Sequence, residues 1–357
     1  MMRKTVIAII TLVLVITTLT YSFAMGPKIE KKKEHIVWPP PPWEPRIEFL
    51  YTITTPDDFD IKKGFFRRLW EFVAGESREG VVKPFGVFAD DSGRVYVTDT
   101  ADQSVHVFDP KDNNYFVVEG INKKSRLTSP ISVATDAERN IYVSDSVIRR
   151  VYVFNEKGKF IREIGSGNAM QRPTGIAIDK ASGILYVVDT LASKIFVYSL
   201  DGKHIKTIGE YGGGNGQFNR PTFIAIGKDG NLYITDTMNV RVQIIDKNGK
   251  FIGKFGKRGD GTGDLANPRG IALDSEGHIY ITDTILEAVQ IFDKSGRLLL
   301  VFGRRGTNSG EFALPAGISI SNDDKIYVAD SYNMRIQVFR YLKTGRGIGK
   351  GEDGKSK

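Results

Sequence analysis

Apolar and polar positions along this chain alternate in short bursts, and the bursts recur in one fixed order. Six times the sequence runs through a proline, a stretch of small and branched apolar residues, a turn, a strand ending in Asp, a polar loop and a second alternating strand. The first three copies are "PFGVFADDSGRVYVTDT" from Pro84, "PISVATDAERNIYVSDS" from Pro130 and "PTGIAIDKASGILYVVDT" from Pro173. The others are "PTFIAIGKDGNLYITDT" from Pro221, "PRGIALDSEGHIYITDT" from Pro268 and "PAGISISNDDKIYVADS" from Pro315. Their prolines lie 43 to 48 residues apart. That length holds four short strands and their turns, which is one propeller blade.

Each burst has its own period. "GIAID" is built of small and branched residues and suits the crowded inner edge of a blade, whereas "IYVTD" and "VQIFD" read as strands between stacked blades. "DSEG", "DKNG" and "DKSG" supply the Asp, Asn and Gly that tight hairpins need. A fourth strand follows in "KFIREIG" (159–165), "KHIKTIG" (203–209), "KFIGKFG" (250–256) and "RLLLVFG" (297–303), with "NYFVVEG" (114–120) a weaker copy. After the sixth repeat, "RIQVFRYLK" is followed only by "TGRGIGKGEDGKSK", so the sixth blade is one strand short. "RIEFLYTI" (46–53) has the fourth-strand pattern. It is predicted to pair with the last blade, closing the ring and covering an exposed edge. The expected fold is therefore all-β: a six-bladed β-propeller of four-stranded blades over residues 46–342, closed by an N-terminal strand.

Residues 54–83 interrupt the pattern. In "DIKKGFFRRLWEFVAGE", Phe66, Leu69, Trp70 and Val73 fall at i, i+3, i+4 and i+7, and Phe65 and Phe72 widen the stripe. This predicts one short amphipathic helix over 61–75, inserted before the first blade. Two readings stand for it. It is a lid folded over the channel mouth, or Phe65, Phe66, Arg67, Arg68, Leu69, Trp70 and Val73 form a surface for a partner or an anionic membrane.

The N-terminus has a different character. A basic start is followed by the apolar run "TVIAIITLVLVITTL" (5–19) and by Ser22-Phe23-Ala24, a small-x-small pattern that export peptidases accept. Residues 1–24 are read as a signal peptide or, uncleaved, a membrane anchor. Residues 25–45, with "WPPPPWEP", read as a basic proline-rich linker in extended polyproline conformation. Residues 343–357 read as a disordered basic tail. The expected location is outside the inner membrane, periplasmic or anchored and facing outward.

Composition narrows the chemistry. The 357 residues include no cysteine, which excludes disulfides, thiolate metal sites and a cysteine nucleophile. The net charge of +8 is concentrated in the ends: residues 1–45 and 341–357 each carry +3, leaving +2 for the body. A nucleic-acid-binding domain usually holds its charge on the folded surface, so RNA is the least favoured partner.

"P-x-GIA-x-D", "YVTDT-x-N-x-RVQ-x-FD" and "G-x-G-x-F-x-x-P" resemble NHL repeats. "TDTMNVRVQIID" (235–246) and "ADSYNMRIQVFR" (329–340) come nearest to that pattern, and the resemblance covers about residues 84–340. It implies a six-bladed propeller. It does not select a function, because this repeat serves RNA binding, protein binding and lyase chemistry.

The candidate chemistry follows from positions within the repeat. Asp99, Asp145, Asp189, Asp236, Asp283 and Asp330 occupy one place in all six copies. Five residues later come Ser104, Arg150, Lys194, Arg241, Ala288 and Arg335. A carboxylate ending one strand and a cation starting the next would pin the loop between them. Asp99 and Asp283 lack that cation and are the better ligand candidates. The four histidines, His35, His106, His204 and His278, fall on different strands and do not make the three-imidazole set of a catalytic zinc. No acid–base pair converges, so no catalytic residue, cofactor or metal site is assigned. The loop face should instead collect Arg149, Arg150, Arg172, Lys194, Arg220, Arg241, Arg269 and Arg335. Val147, Ile148, Leu191, Met238, Ile285, Leu286 and Tyr332 add apolar surface there. The residues point to a monomeric, exported, non-catalytic scaffold that binds an envelope protein, with membrane association through the N-terminus or the 61–75 helix. The competing reading is an envelope hydrolase or lyase of the lactonase-like or metal-dependent kind.

Overall fold

The computed structural model describes residues 35–59, 61, 80–122, 125–165, 170–259 and 261–343. Six antiparallel sheets follow one another along the body of the chain. Blade 1 is Pro84–Ala89, Val95–Asp99, Ser104–Asp109 and Asn114–Val118. Blade 2 is Pro130–Thr135, Ile141–Asp145, Arg150–Phe154 and Phe160–Ile164. Blade 3 is Pro173–Asp179, Ile184–Asp189, Lys194–Ser199 and His204–Ile208. Blade 4 is Ile224–Ile226, Leu232–Asp236, Arg241–Ile245 and Phe251–Phe255. Blade 5 is Pro268–Leu273, Ile279–Asp283, Ala288–Phe292 and Leu298–Phe302.

Blade 6 takes three strands from the end of the repeats, Pro315–Ile320, Lys325–Asp330 and Arg335–Tyr341. Its next strand is Ile47–Ile53, paired antiparallel from Ile47 opposite Tyr341 to Ile53 opposite Ile336. First strands of neighbouring blades lie side by side around the axis. Among the described residues, six apolar clusters fill the spaces between successive blades. The one between blades 6 and 1 joins Ile53, Ile336 and Val338 to Val87, Val97 and Phe108.

The repeated phrase can be read off atom by atom. Its glycine sits where inner strands approach most closely: a Cβ on Gly317 would meet the Phe85 carbonyl oxygen at 2.6 Å. Its tyrosine donates to the aspartate of the preceding turn, as Tyr280 does to Asp274 (3.0 Å) and Tyr233 to Asp229 (2.9 Å). The hydroxyl before the strand-end aspartate bridges to the next blade, Thr235 to the Arg269 carbonyl at 2.6 Å. The hydroxyl after it does the same, Thr237 to Pro268 and Thr284 to Pro315, both at 2.8 Å. Ser331 donates to the Pro84 carbonyl at 2.6 Å and so ties the last blade to the first. "T-D-T" is thus a staple between blades, with each buried donor satisfied.

The linker expected over 25–45 is corrected in its second half. Val37–Trp38 pairs with Glu48 and Ile47 and adds a fifth strand to blade 6. Arg46 N–H donates to the Trp38 carbonyl at 2.7 Å, and Phe49 N–H to Ile36 at 2.9 Å. The cause is the indole: Trp38 lies with its ring centroid 5.8 Å from both Phe302 and Phe339, where it covers apolar surface at the blade edge. Trp43 stays in solvent, 70% exposed. The helix expected over 61–75 falls, Ile61 excepted, outside the described residues, as do residues 1–34 and 344–357. No helix among the described residues is long and apolar enough to cross a membrane.

Candidate binding face

The loops that follow second strands and those that enter first strands meet at one end of every blade, because the repeated aspartate holds both. Asp99 accepts from the backbone N–H of Val82 (2.6 Å) and Lys83 (2.9 Å) before the blade, and of Ala101 and Asp102 (2.9 Å each) after the strand. Asp283 does the same with Ala266, Asn267, Ile285 and Leu286 at 2.7 to 3.1 Å. Both carboxylates are fully buried. The absence of a cation five residues on therefore does not free them for a ligand. Peptide N–H groups take the cation's place, and the expectation for Asp99 and Asp283 is corrected.

The expected cation pairing holds in two blades. Arg241 donates through Nε to Asp236 Oδ2 at 2.8 Å and through its terminal nitrogens to Gly213, Gly214 and Gln217 carbonyls at 2.8 to 2.9 Å. Arg335 repeats this with Asp330 (2.7 Å), Asn308 (2.8 Å) and Glu311 (2.9 Å). Both guanidiniums are consumed inside the fold. In blade 2, Arg150 turns instead to Glu163 at 2.7 Å. Arg149 is exposed and Lys194 half-buried, and neither makes an ion pair among the described residues.

Three of the expected arginines do come together. Arg172, Arg220 and Arg269 line a cavity of about 200 Å³ with Met238, beside Phe85, Phe223 and Ile131. Thr174, Thr190, Thr222, Thr237 and Asn267 complete its wall, and none of these lining residues is acidic. The topology explains the meeting. Phe85, Ile131, Thr174, Thr222 and Arg269 each follow the proline of a first strand, and Arg172, Arg220 and Asn267 each precede one. First strands surround the axis, so these positions form the axial mouth on the loop face.

The cavity's electrostatics are one-sided. Arg269 is packed over the Phe85 ring, Cζ to centroid 5.4 Å, and Phe85 stacks on Phe223 at 6.2 Å. Burial, and then the charge of Arg172, push the Arg269 guanidinium below its usual pKa. Its Nε has no hydrogen-bond partner among the described residues, nor has the nearby Asn267 Oδ1. Asp189, the strand-end carboxylate of blade 3, spends itself on backbone N–H groups, among them that of Arg172 at 3.0 Å.

The expected apolar residues sort by exposure. Val147 (58%), Leu191 (46%), Met238 (52%), Ile285 (64%) and Tyr332 (73%) project from the same loop position in blades 2 to 6. Ile148 and Leu286, one residue further along, are half-buried. The histidines stay apart. His106 is buried, 2.8 Å through Nδ1 from the Tyr115 hydroxyl, and His278 contacts Asp274 at 2.8 Å. Ser104 lies 3.4 Å from His106 Nε2 but is fully buried, out of reach of a substrate. No group of three His, Asp or Glu side chains converges among the described residues.

Of the cavity lining, sequence reasoning singled out Arg172, Arg220, Arg269 and Met238. It missed Phe85, Phe223, Asn267 and the threonine hydroxyls of the mouth. The available signal was position: each lies within one or two residues of a first-strand proline or directly after a strand-end aspartate.

A profile described as a 6-bladed beta-propeller matches residues 121–210, 168–232 and 224–284, and an NHL repeat profile matches residues 312–339. With five four-stranded sheets and one five-stranded sheet around its axis, the chain is a six-bladed β-propeller, and its last blade carries an NHL-repeat match. No curated protein sequence matches it. Among solved structures it is similar to a streptogramin B lyase, at 15% identity and TM-score 0.56, over 73% of this chain and 94% of that one. It is similar to a gluconolactonase from Xanthomonas campestris at 14% identity and TM-score 0.56, over 73% and 87%. A nidogen/laminin complex matches at 20% identity and TM-score 0.54, over 70% and 86%. These likenesses are to two enzymes and one nidogen/laminin complex, and at such identities they carry the fold alone.

Proposed function

We propose that this chain is an exported, non-catalytic propeller that binds another envelope protein through its loop face. One observation carries the reading: Val147, Leu191, Met238, Ile285 and Tyr332 stand exposed at the same loop position in five successive blades. Loop tips normally avoid such residues, and an apolar series on one rigid face suits a protein partner. The ring itself is stapled blade to blade, which preorganises the face and lowers the ordering cost of binding. The apolar run at 5–19 and the small-x-small pattern before residue 25 support export. Phe65, Phe66, Arg67, Arg68, Leu69, Trp70 and Val73 belong to the same proposal as a second contact surface.

The test is capture from envelope extract on immobilised protein, wild type against Met238→Ser/Ile285→Ser/Tyr332→Ser. The expected result is a partner held by the wild type and lost by the triple variant, with an unchanged urea midpoint. Equal retention by both proteins would sink the reading. Stoichiometric calcium or zinc in the purified wild type would turn the case toward the hydrolase or lyase alternative.

A further inference from the structure

The axial mouth has a chemistry that the surrounding apolar loops do not share. We infer that it is a binding site for a carboxylate attached to a small apolar group, with Arg269, Arg172 and Arg220 holding the anion and Phe85, Phe223 and Met238 the apolar part. The inference deepens the proposed function, because the cavity opens on the same face, but apart from Met238 it is read from different residues.

Three observations carry it. First, the three cations gather with no acidic lining residue and no ion pair among the described residues. Every neighbouring arginine of the same face that is buried, Arg241 and Arg335, has its carboxylate built in. Second, Arg269 lies over Phe85, and its Nε–H has no acceptor. A buried unpaired donor is costly, more so when it belongs to a cation, and an anion arriving from outside would relieve that cost. Third, although threonines and Asn267 share the wall with Phe85, Phe223, Ile131 and Met238, the surface it presents is mainly apolar, which disfavours a bare hydrated ion and favours one carrying an apolar body. At about 200 Å³ the cavity is below the roughly 300–1,000 Å³ typical for drug-sized ligands. It therefore takes a small acid, or a single chain end.

A planar carboxylate matches the guanidinium fork in two parallel hydrogen bonds, and Asn267 and the threonine hydroxyls can complete its shell. The same chemistry has two sources, a free organic acid and the C-terminus of a polypeptide that ends in an apolar residue.

Calorimetric titration of the purified full chain distinguishes them. The probes are 3-phenylpropionate, 3-phenylpropanol, inorganic phosphate, and the peptide Gly-Gly-Phe as free acid and as amide. The acid is expected to bind saturably and at least about tenfold more tightly than the alcohol or phosphate, with affinity falling as salt rises. Arg269→Gln should weaken it by at least about tenfold. Arg172→Gln and Arg220→Gln, at exposed positions, should each weaken it several-fold and keep the test open if Arg269→Gln does not fold. A free-acid peptide that binds more tightly than 3-phenylpropionate identifies a chain end as the source; the reverse order identifies a free acid. Acid and alcohol binding alike, phosphate binding as tightly as the acid, or arginine variants with unchanged affinity would each overturn the site. Loss of this site leaves capture of a protein by the apolar loops standing, and failure of that capture leaves the carboxylate titration unaffected.

Discussion

The shoulders of blades 4 and 6 and the axial mouth are both arginine-rich, and they use arginine in opposite ways. On the shoulders, Arg241 and Arg335 are each held by an aspartate and by carbonyls of the preceding loop. At the mouth, Arg172, Arg220 and Arg269 meet aromatic rings, hydroxyls and one another. Six repeats of one phrase thus place the same side chain in a structural role at one radius and leave it unspent at another. What separates the roles is whether the fold brings an acceptor to the guanidinium. A buried arginine with its acceptors supplied rigidifies a loop; one without them is an unfilled valence.

The largest effects should fall on the shoulders. Arg241→Met strands the buried Asp236 and three carbonyls, and Arg335→Met strands the buried Asp330 and two, at a cost of about 3–4 kcal/mol each in urea unfolding. Arg172→Gln and Arg220→Gln should change stability by less than about 0.5 kcal/mol. Equal losses at the two places would abolish the distinction.

Next comes the glycine of the inner strands. A Cβ on Gly270 would stand 2.5 Å from the Ala316 carbonyl oxygen and 2.9 Å from the Ile318 nitrogen, both backbone atoms of the neighbouring blade. Gly270→Ala should therefore cost about 2–3 kcal/mol, by the same denaturation measurement, as strands around the axis are forced apart. A neutral result would mean the ring can widen. The geometry of the mouth would then be adjustable rather than fixed.

These cases show what was legible beforehand. The blade count, the strand boundaries and the one-strand deficit of blade 6 could be read from period and turn chemistry, because both are local. The choice between Arg241 and Arg269 was legible only in part. The pairing of Arg241 with Asp236 follows from their five-residue spacing, whereas its carbonyl acceptors lie 24 to 28 residues upstream in a loop whose path the repeat does not encode. The mouth is assembled from scattered residues of five blades, so no continuous stretch carries its signature. Trp38 misled for a related reason. Prolines announce an extended spacer, and only the exposed apolar edge of blade 6 explains why the chain turns back.

Blade 1 gives a comparison within the shoulders. His106 occupies the place of Gln243 and Gln337, which donate to their own aspartates at 3.2 and 3.0 Å. The histidine lies 3.8 Å from Asp99 and 3.6 Å from Asp102, beside Ser104, Tyr115 and Phe108. Burial outweighs those carboxylates and lowers its pKa. The unfolded chain then takes up a proton, near the ordinary value of about 6.5, that the folded ring resists. Stability from this group is complete above that pH and declines as pH falls below it. His106→Gln should fold and should flatten the difference in urea midpoint between pH 7.5 and 5.5. An unchanged slope would show that the histidine titrates alike in the folded and unfolded chains, and a steeper one that the ring stays protonated in the fold with Asp99 as its partner.

The smallest effect tests why the loop tips keep their side chains. Met334 and Val240 stand at one repeat position, just before the third strand, with φ of 55° and 52° in the left-handed region. That conformation costs an L-residue roughly 1 kcal/mol and a β-branched one more, so glycine relieves it at both places. The two differ in what the side chain does: Met334 is 54% exposed, whereas Val240 is 1% exposed within the core between blades 4 and 5. Met334→Gly should therefore raise stability by about 0.5 kcal/mol, because only strain is lost. Val240→Gly should lower it by about 1–2 kcal/mol, because lost burial exceeds the relief. Opposite signs at equivalent positions would show that the strained methionine contributes nothing to the fold. If Met334→Gly also weakens capture of the partner, its side chain is retained for the binding face. Destabilisation by Met334→Gly would instead mean that the exposed loop tips pack on one another, which removes the main support for that face.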